Sequence, residues 1–148
     1  MNDRKKPFAG EMRGGIRRPA QPEALPEIIE FVCSYARDMA FGEKRIDAIR
    51  LALEETLGNI VRFACPQGTE EISVTCDAND MGALLVNIVD SGVPFNMLVM
   101  SAFPETLGDS QRQGELPPTK AMKRAVKDIE YRRDGERKTN ILAWVVWS

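Results

Sequence analysis

Glu55 and Asn59 stand four residues apart, so on a helix they share one face. The amide oxygen of an asparagine suits Mg²⁺, a hard cation that prefers oxygen ligands and keeps several of its waters. A carboxylate one turn earlier can take a proton from an attacking hydroxyl. The same pair also reads as an ordinary solvated face, with Glu54 pointing to the surface. Further along, Asp90-Ser91-Gly92-Val93-Pro94-Phe95 closes an apolar run. Asp90 can be a turn aspartate, common where a strand ends. It can also be a carboxylate at the mouth of a pocket. There it would accept from the exocyclic amino group of adenine, where guanine presents a carbonyl. Gly92 would let the backbone approach the base closely. Val93 and Phe95 would supply apolar wall, and Pro94 would stiffen the turn.

These residues need elements to position them. Leu25, Ile28, Ile29, Val32, Ala36 and Met39 fall at helical spacing, which predicts an amphipathic helix over 23–41 with Gly42 as its stop. Ile46, Ile49, Leu53, Leu57, Ile60 and Ala64 form the buried stripe of a second helix over 44–64, ended by Pro66 and Gly68. Alternation at Ile72–Cys76 and the denser run Ala83–Val89 predict a hairpin turning at Asn79–Gly82. Residues 91–118 form a long aperiodic loop, a feature usually functional or disordered. A short helix over Thr119–Lys127 and a second hairpin, Ile129–Arg133 and Asn140–Trp147 around Asp134-Gly135, complete the chain. A further short strand is expected near Gly15–Arg18. Helices covering one face of a sheet give an α+β, two-layer sandwich.

Composition narrows the rest. A chain of 148 residues, 43% hydrophobic, fits one domain with one core. Its formal net charge of −2 gives no overall drive towards nucleic acid or a membrane surface. Neither is an expected partner. Residues 1–20 read as a flexible basic N-terminal arm, and 21–148 as the single domain. Residues 120–138 hold eight Lys/Arg against four Asp/Glu. The three cysteines have no paired spacing and read as reduced, buried thiols. The absence of histidine excludes His-based acid/base catalysis, His metal ligands and a phosphoacceptor histidine. No apolar run is long enough to span a bilayer, and a cytoplasmic protein is expected.

Leu51-Ala52-Leu53-Glu54-Glu55-Thr56-Leu57-Gly58-Asn59-Ile60 resembles the N-box helix of the GHKL ATPase superfamily, the Bergerat nucleotide-binding fold. Asp90-Ser91-Gly92-Val93-Pro94-Phe95 resembles its first glycine box. Met122–Tyr131 followed by Asn140-Ile141-Leu142 resembles its closing helix and hairpin. Within the superfamily the chain is most similar to the anti-sigma-factor serine/threonine kinase branch. The resemblance covers about residues 20–147 and makes 21–148 a histidine-kinase-like ATPase domain.

That resemblance implies a mixed, mostly antiparallel sheet under about three helices, with ATP and Mg²⁺ as ligands. Glu55 takes the general-base position and Asn59 the Mg²⁺ position. Asp90 and Gly92 take the adenine positions, with Phe95 as wall, and Thr139 adds a weaker contact to the base. It also implies a protein partner, either a sigma factor or an anti-sigma-factor antagonist-like regulator, and a possible homodimer. The chain departs from the family in two places. Phe63 stands where a histidine is typical. The second glycine box, a Gly-x-Gly whose backbone N–H groups cradle phosphates, falls on Glu115-Leu116-Pro117 with only Gly114 nearby. Pro117 and Pro118 have no N–H to donate, and Glu115 would repel phosphate oxygens. Lys120, Lys123 and Arg124 read either as a solvated helix face or as side-chain charge standing in for that box. Two functions therefore compete. One is an ATP-dependent serine/threonine kinase acting on a regulator. The other is a catalytically impaired module of the same fold that works by protein contact.

Overall fold

Inward apolar positions recurring every second residue dictate the sheet. Leu84, Val86 and Ile88 are buried, as are Leu142, Trp144 and Val146, while the residues between them are half-exposed or exposed. The computed structural model describes residues 14–100 and 116–148. Most of the basic arm lies outside the described residues, as do Gly114 and Glu115.

The strands are β1 (Gly15–Pro19), β2 (Glu71–Ala78), β3 (Leu84–Asp90), β4 (Asp128–Asp134) and β5 (Thr139–Val146). They form one sheet in the order β1-β2-β3-β5-β4. Every described pairing is antiparallel. The helices are α1 (Leu25–Asp38), α2 (Glu43–Asn59), the single turn α3 (Met97–Met100) and α4 (Lys120–Ala125). The core lies between sheet and helices. Ile28, Val32 and Ala36 of α1, Ile46, Ile49, Leu53 and Leu57 of α2, and Met122 of α4 are all fully buried. The α+β two-layer sandwich expected from the sequence is thus the observed architecture. The end of the 1–20 arm is an edge strand, as the pattern near Gly15–Arg18 predicted. No helix among the described residues is long and apolar enough to cross a membrane.

Two local features set where the elements end. Beyond Asn59, α2 continues as a π-helical turn, Ile60–Ala64, closed by a bond from the Cys65 N–H to the Ile60 carbonyl. Such turns often occur at functional sites. The first helix stops before Gly42. The Ala40 N–H donates to the Arg37 carbonyl and the Phe41 N–H to the Ala36 carbonyl, with Ala40 at φ 68°. This is a Schellman closure with alanine in the left-handed position that usually belongs to glycine. Gly42 instead sits at the start of α2, its carbonyl accepting from the Ile46 N–H.

A left-handed alanine is strained where glycine is not. Ala40→Gly should raise stability by about 1 kcal/mol, or about 3 °C in Tm for a chain of this size. Thermal unfolding checks this, and a lower Tm would contradict the closure described.

Candidate functional site

At one end of the helix-facing side of the sheet, apolar side chains give way to polar ones. The registers place Ile72, Asp90, Asn140 and Arg133 side by side across β2, β3, β5 and β4. Asp90 continues the inward phase of Leu84, Val86 and Ile88, so the alternation that builds the core also carries a carboxylate indoors. It is only 3% exposed. Its Oδ1 accepts from the Asn140 Nδ2 at 2.9 Å, the Gly92 N–H at 2.9 Å and the Cys65 thiol at 3.9 Å. Among the described residues no hydrogen bond falls on Oδ2. Burial pushes the Asp90 carboxyl up from the usual range, and the Asn140 amide, the Gly92 N–H and the Arg133 charge pull it partly back. Burial, with Asp90 beside it, pushes the Cys65 thiol up to about 12, so it stays protonated and can donate.

Asn140 holds this end of the site together. Its Nδ2 donates to Asp90 and, at 2.8 Å, to the Val93 carbonyl. Its Oδ1 accepts from the Phe95 N–H at 3.1 Å, the Tyr131 hydroxyl at 2.6 Å and Arg133 Nη1 at 3.3 Å. Arg133 also donates to the Gly92 carbonyl at 2.9 Å. The loop after β3 is thereby fixed to β4 and β5. On its other side the Val93 N–H donates to the Ala64 carbonyl, an otherwise open group at the end of the π-helical turn. This contact explains Gly92. A Cβ there would lie 2.2 Å from the Ala64 oxygen and 2.8 Å from the Cys65 sulfur. The glycine is required by the helix end beside it, whatever ligand approaches.

Phe95 is buried and stacks on Phe63, with ring centroids 5.5 Å apart and planes 18° apart. The Arg62 guanidinium lies 5.2 Å from the Phe63 centroid. Phe63 therefore backs the Phe95 ring.

The other end of the site lies along α2. Asn59 is buried rather than solvated, at 4% exposure. Its Nδ2 donates to the Pro118 carbonyl at 2.8 Å and to the Met97 sulfur at 3.6 Å. Its Oδ1, the atom a cation would need, accepts from no described residue. Glu55 Oε1 accepts from the Met122 N–H at 2.8 Å, which holds the start of α4 against α2. Glu54 is exposed, as expected. Pro117 is buried and Pro118 exposed, and neither has a backbone N–H to donate. Among the described residues no group of three His, Cys, Asp or Glu side chains could hold a metal ion.

The structure therefore joins Asp90, Gly92 and Phe95 through Asn140, and links them along the same loop to Met97 and Asn59. Thr139 is a correction. It is the residue before Asn140 on a strand of unbroken alternation, so its side chain faces the opposite side of the sheet from Asp90. Asn140 occupies the inward position instead. Sequence reasoning missed it, along with Arg133 and Tyr131. The signal was present, because Asn140 shares the parity of Leu142, Trp144 and Val146.

Comparison with known proteins agrees with this fold. The profile of the family described as "Histidine kinase-like ATPase domain" matches residues 18–144. No curated protein matches in sequence. Among solved structures, the chain is similar to one from the crystal structure of the SiaB–SiaC complex of Pseudomonas aeruginosa. That match has a TM-score of 0.54 at 9% identity and covers 99% of this chain and 98% of the other. At that identity the likeness concerns the fold.

Asn140→Ala removes five hydrogen bonds and strands a buried carboxylate. It should cost about 3 kcal/mol or more, read as a fall of about 10 °C in Tm. Asp90 gives a pH test. Its folded pKa lies above its unfolded value, so the folded chain binds the proton more tightly. The cost of ionising it is absent below the unfolded value of about 4 and complete above the folded one. Stability of the parent chain relative to Asp90→Asn should therefore fall as pH rises upward from about 4. A rising difference would contradict the burial argument.

Proposed function

The chain belongs to the histidine kinase-like ATPase domain family, and on that premise we propose that it is an adenine-nucleotide-binding regulator of the anti-sigma-factor serine/threonine kinase type. The observation that carries this reading is the state of Asp90. Its Oδ1 is taken by donors from two sides, and its Oδ2 has no donor among the described residues. That second oxygen is left available to a donor that a ligand brings. The exocyclic amino group of adenine supplies the missing donor, and guanine in the same place does not.

The remaining residues take parts consistent with that base position. Phe95, backed by Phe63, walls the base. Asn59 would hold Mg²⁺ through Oδ1, together with water and the nucleotide's own oxygens, since no cluster of acidic ligands is present among the described residues. The ion, when bound, neutralises phosphate charge. Glu55 is oriented by the Met122 N–H through one oxygen, which leaves the other to take a proton from a serine or threonine hydroxyl of a partner protein. A protein partner is supported by the structural relative, which comes from the SiaB–SiaC complex of two proteins. A sigma factor or an anti-sigma-factor antagonist-like regulator is the partner class this branch implies.

A second reading has its own observation. The two polar side chains of α2 are both engaged within the chain, Asn59 by Pro118 and Glu55 by Met122. A module that kept the fold and worked by protein contact alone would look like this at its phosphate end.

Mg-ATP should raise the Tm of the full chain by several degrees, and Asp90→Asn should abolish the rise. In that variant the retained oxygen accepts from Asn140 and Gly92, so an NH₂ faces the adenine amino group. An unchanged Tm at millimolar Mg-ATP would favour the protein-contact reading. For the next step, Glu55→Ala should keep nucleotide affinity and lose phosphoryl transfer to a cognate partner by at least about 100-fold. Transfer at the parent rate would remove Glu55 from the mechanism.

A further inference from the structure

The side of the sheet turned away from the helices is apolar where water should meet it. An antiparallel sheet with one solvated face keeps its apolar residues inward and its polar ones outward. The flanking strands obey this. Every outward position of β2 from Glu71 to Asp77, and of β4 from Asp128 to Asp134, is polar. The two central strands do not. Leu85 and Val89 stand outward on β3, and Ile141, Ala143 and Val145 on β5, with Asn87 and Thr139 the only polar residues among them. The register sets Leu85 beside Val145 and Val89 beside Ile141. All five apolar residues are half-exposed, and none belongs to the core cluster on the other side. Trp147, 42% exposed, lengthens this stripe, with its indole N–H donating to Asp128 Oδ2 at 3.5 Å. The banks of the stripe are acidic. Glu71 and Asp134 have Arg17 and Arg137 at 3.9 Å, whereas Asp77, Asp128 and Glu130 enter no ion pair among the described residues.

From this we propose that the outer face of β3 and β5 is the docking surface for an amphipathic helix of a partner protein, apolar along one side and basic along both edges. Shape and charge select that occupant. The stripe is two strands wide, about 10 Å, and runs about 20 Å along them. A helix is about 10 Å across, and roughly 13 residues cover that length. Its basic edges would lie over Asp77 on one bank and over Asp128 and Glu130 on the other, while its apolar side covers the stripe. A second copy fits less well. Stacked through a two-fold axis along the strands, it would set Asp128 over Asp77, acid on acid. Anionic lipid and nucleic acid meet the same acids. The inference goes beyond the nucleotide reading and does not need it. Asp90 faces the core side of the sheet, so a helix on the outer face leaves its carboxylate untouched.

Isothermal titration and amide-shift mapping of the full chain test this with a synthetic helical peptide of about 15 residues, leucine on one side and lysine along both edges. Parallel arms use the same peptide with glutamate for lysine, and vesicles of phosphatidylcholine and phosphatidylglycerol. The lysine peptide should bind and shift the amides of Val89, Ile141 and Val145, and added NaCl should weaken it. Ile141→Thr/Val145→Thr should weaken it at least about tenfold. Threonine keeps the branched shape that strands favour, and Tm checks that the variant folds. Glu130→Lys, at an exposed position, should weaken the same peptide without touching the core. Silence towards the lysine peptide, equal binding of the glutamate peptide, or undiminished affinity in the folded variants would overturn the proposal. So would a dimer in sedimentation that the double variant dissociates, which assigns the face to a second copy, or vesicle binding that it loses, which assigns the face to a membrane.

Discussion

The cross-strand pair Asp90–Asn140 is the constraint on which the rest of the site depends. Two strands of the sheet present polar residues at the same register, on the face that buries the core. Buried polar groups need partners, and here they find them in one another. The carboxylate takes an amide proton, and the amide takes a tyrosine hydroxyl, an arginine and a backbone N–H in return. Every group that enters this network is then fixed in place. The loop from Ser91 to Phe95 has no secondary structure of its own, yet it is anchored at Gly92, Val93 and Phe95. A binding site on a loop needs such support from rigid elements if it is to recognise anything.

Helix α2 meets this network from the other layer. Its π-helical extension ends with the Ala64 carbonyl against the Val93 N–H, so helix and loop share one bond and leave no room for a side chain at position 92. One turn earlier Asn59 reaches the carbonyl of Pro118, and another turn earlier Glu55 reaches the N–H of Met122. The polar side of α2 is thus a rail along which the loop after β3 and the start of α4 are both attached. This gives Glu55 and Asn59 a structural role that exists without any ligand. The two roles are compatible, because each side chain uses one polar atom for the fold and keeps another.

Most of the fold was legible in the sequence, because it rests on periodicity. The stripe from Ile46 to Ala64 and the alternation in β2 and β3 placed their elements within a residue or two. The ends were less legible. Gly42 looked like a stop because glycine usually takes the left-handed turn position, yet Ala40 takes it here. A single sequence does not reveal strain that the surrounding packing overrides. At the site, Asp90 and Phe95 were recognisable from their motif, and the structure brings them together. Asn140 was not, since an asparagine at the start of a strand reads as the tail of a turn. Counting parity back from Trp144 and Leu142 would have turned it inward and turned Thr139 outward. The reason for Gly92 was not legible either, because it lies in a helix end far away in the chain.

The two ends of the site are built from different materials, and this has a physical consequence. The Asp90 end, the proposed base site, is made by strand register and backbone donors, with charges buried and conformations locked. Its selectivity depends on geometry and resists salt. The end at Pro118 is made by side chains on a short exposed helix, with prolines where amides would be. Long cationic side chains lose rotamer freedom when they bind, and they attract any phosphate of suitable reach. On the proposed reading, the locked end would decide which base is accepted, through the Asp90 carboxylate. Asn59 stands between the two ends, bonded to Met97 on one side and to the Pro118 carbonyl on the other.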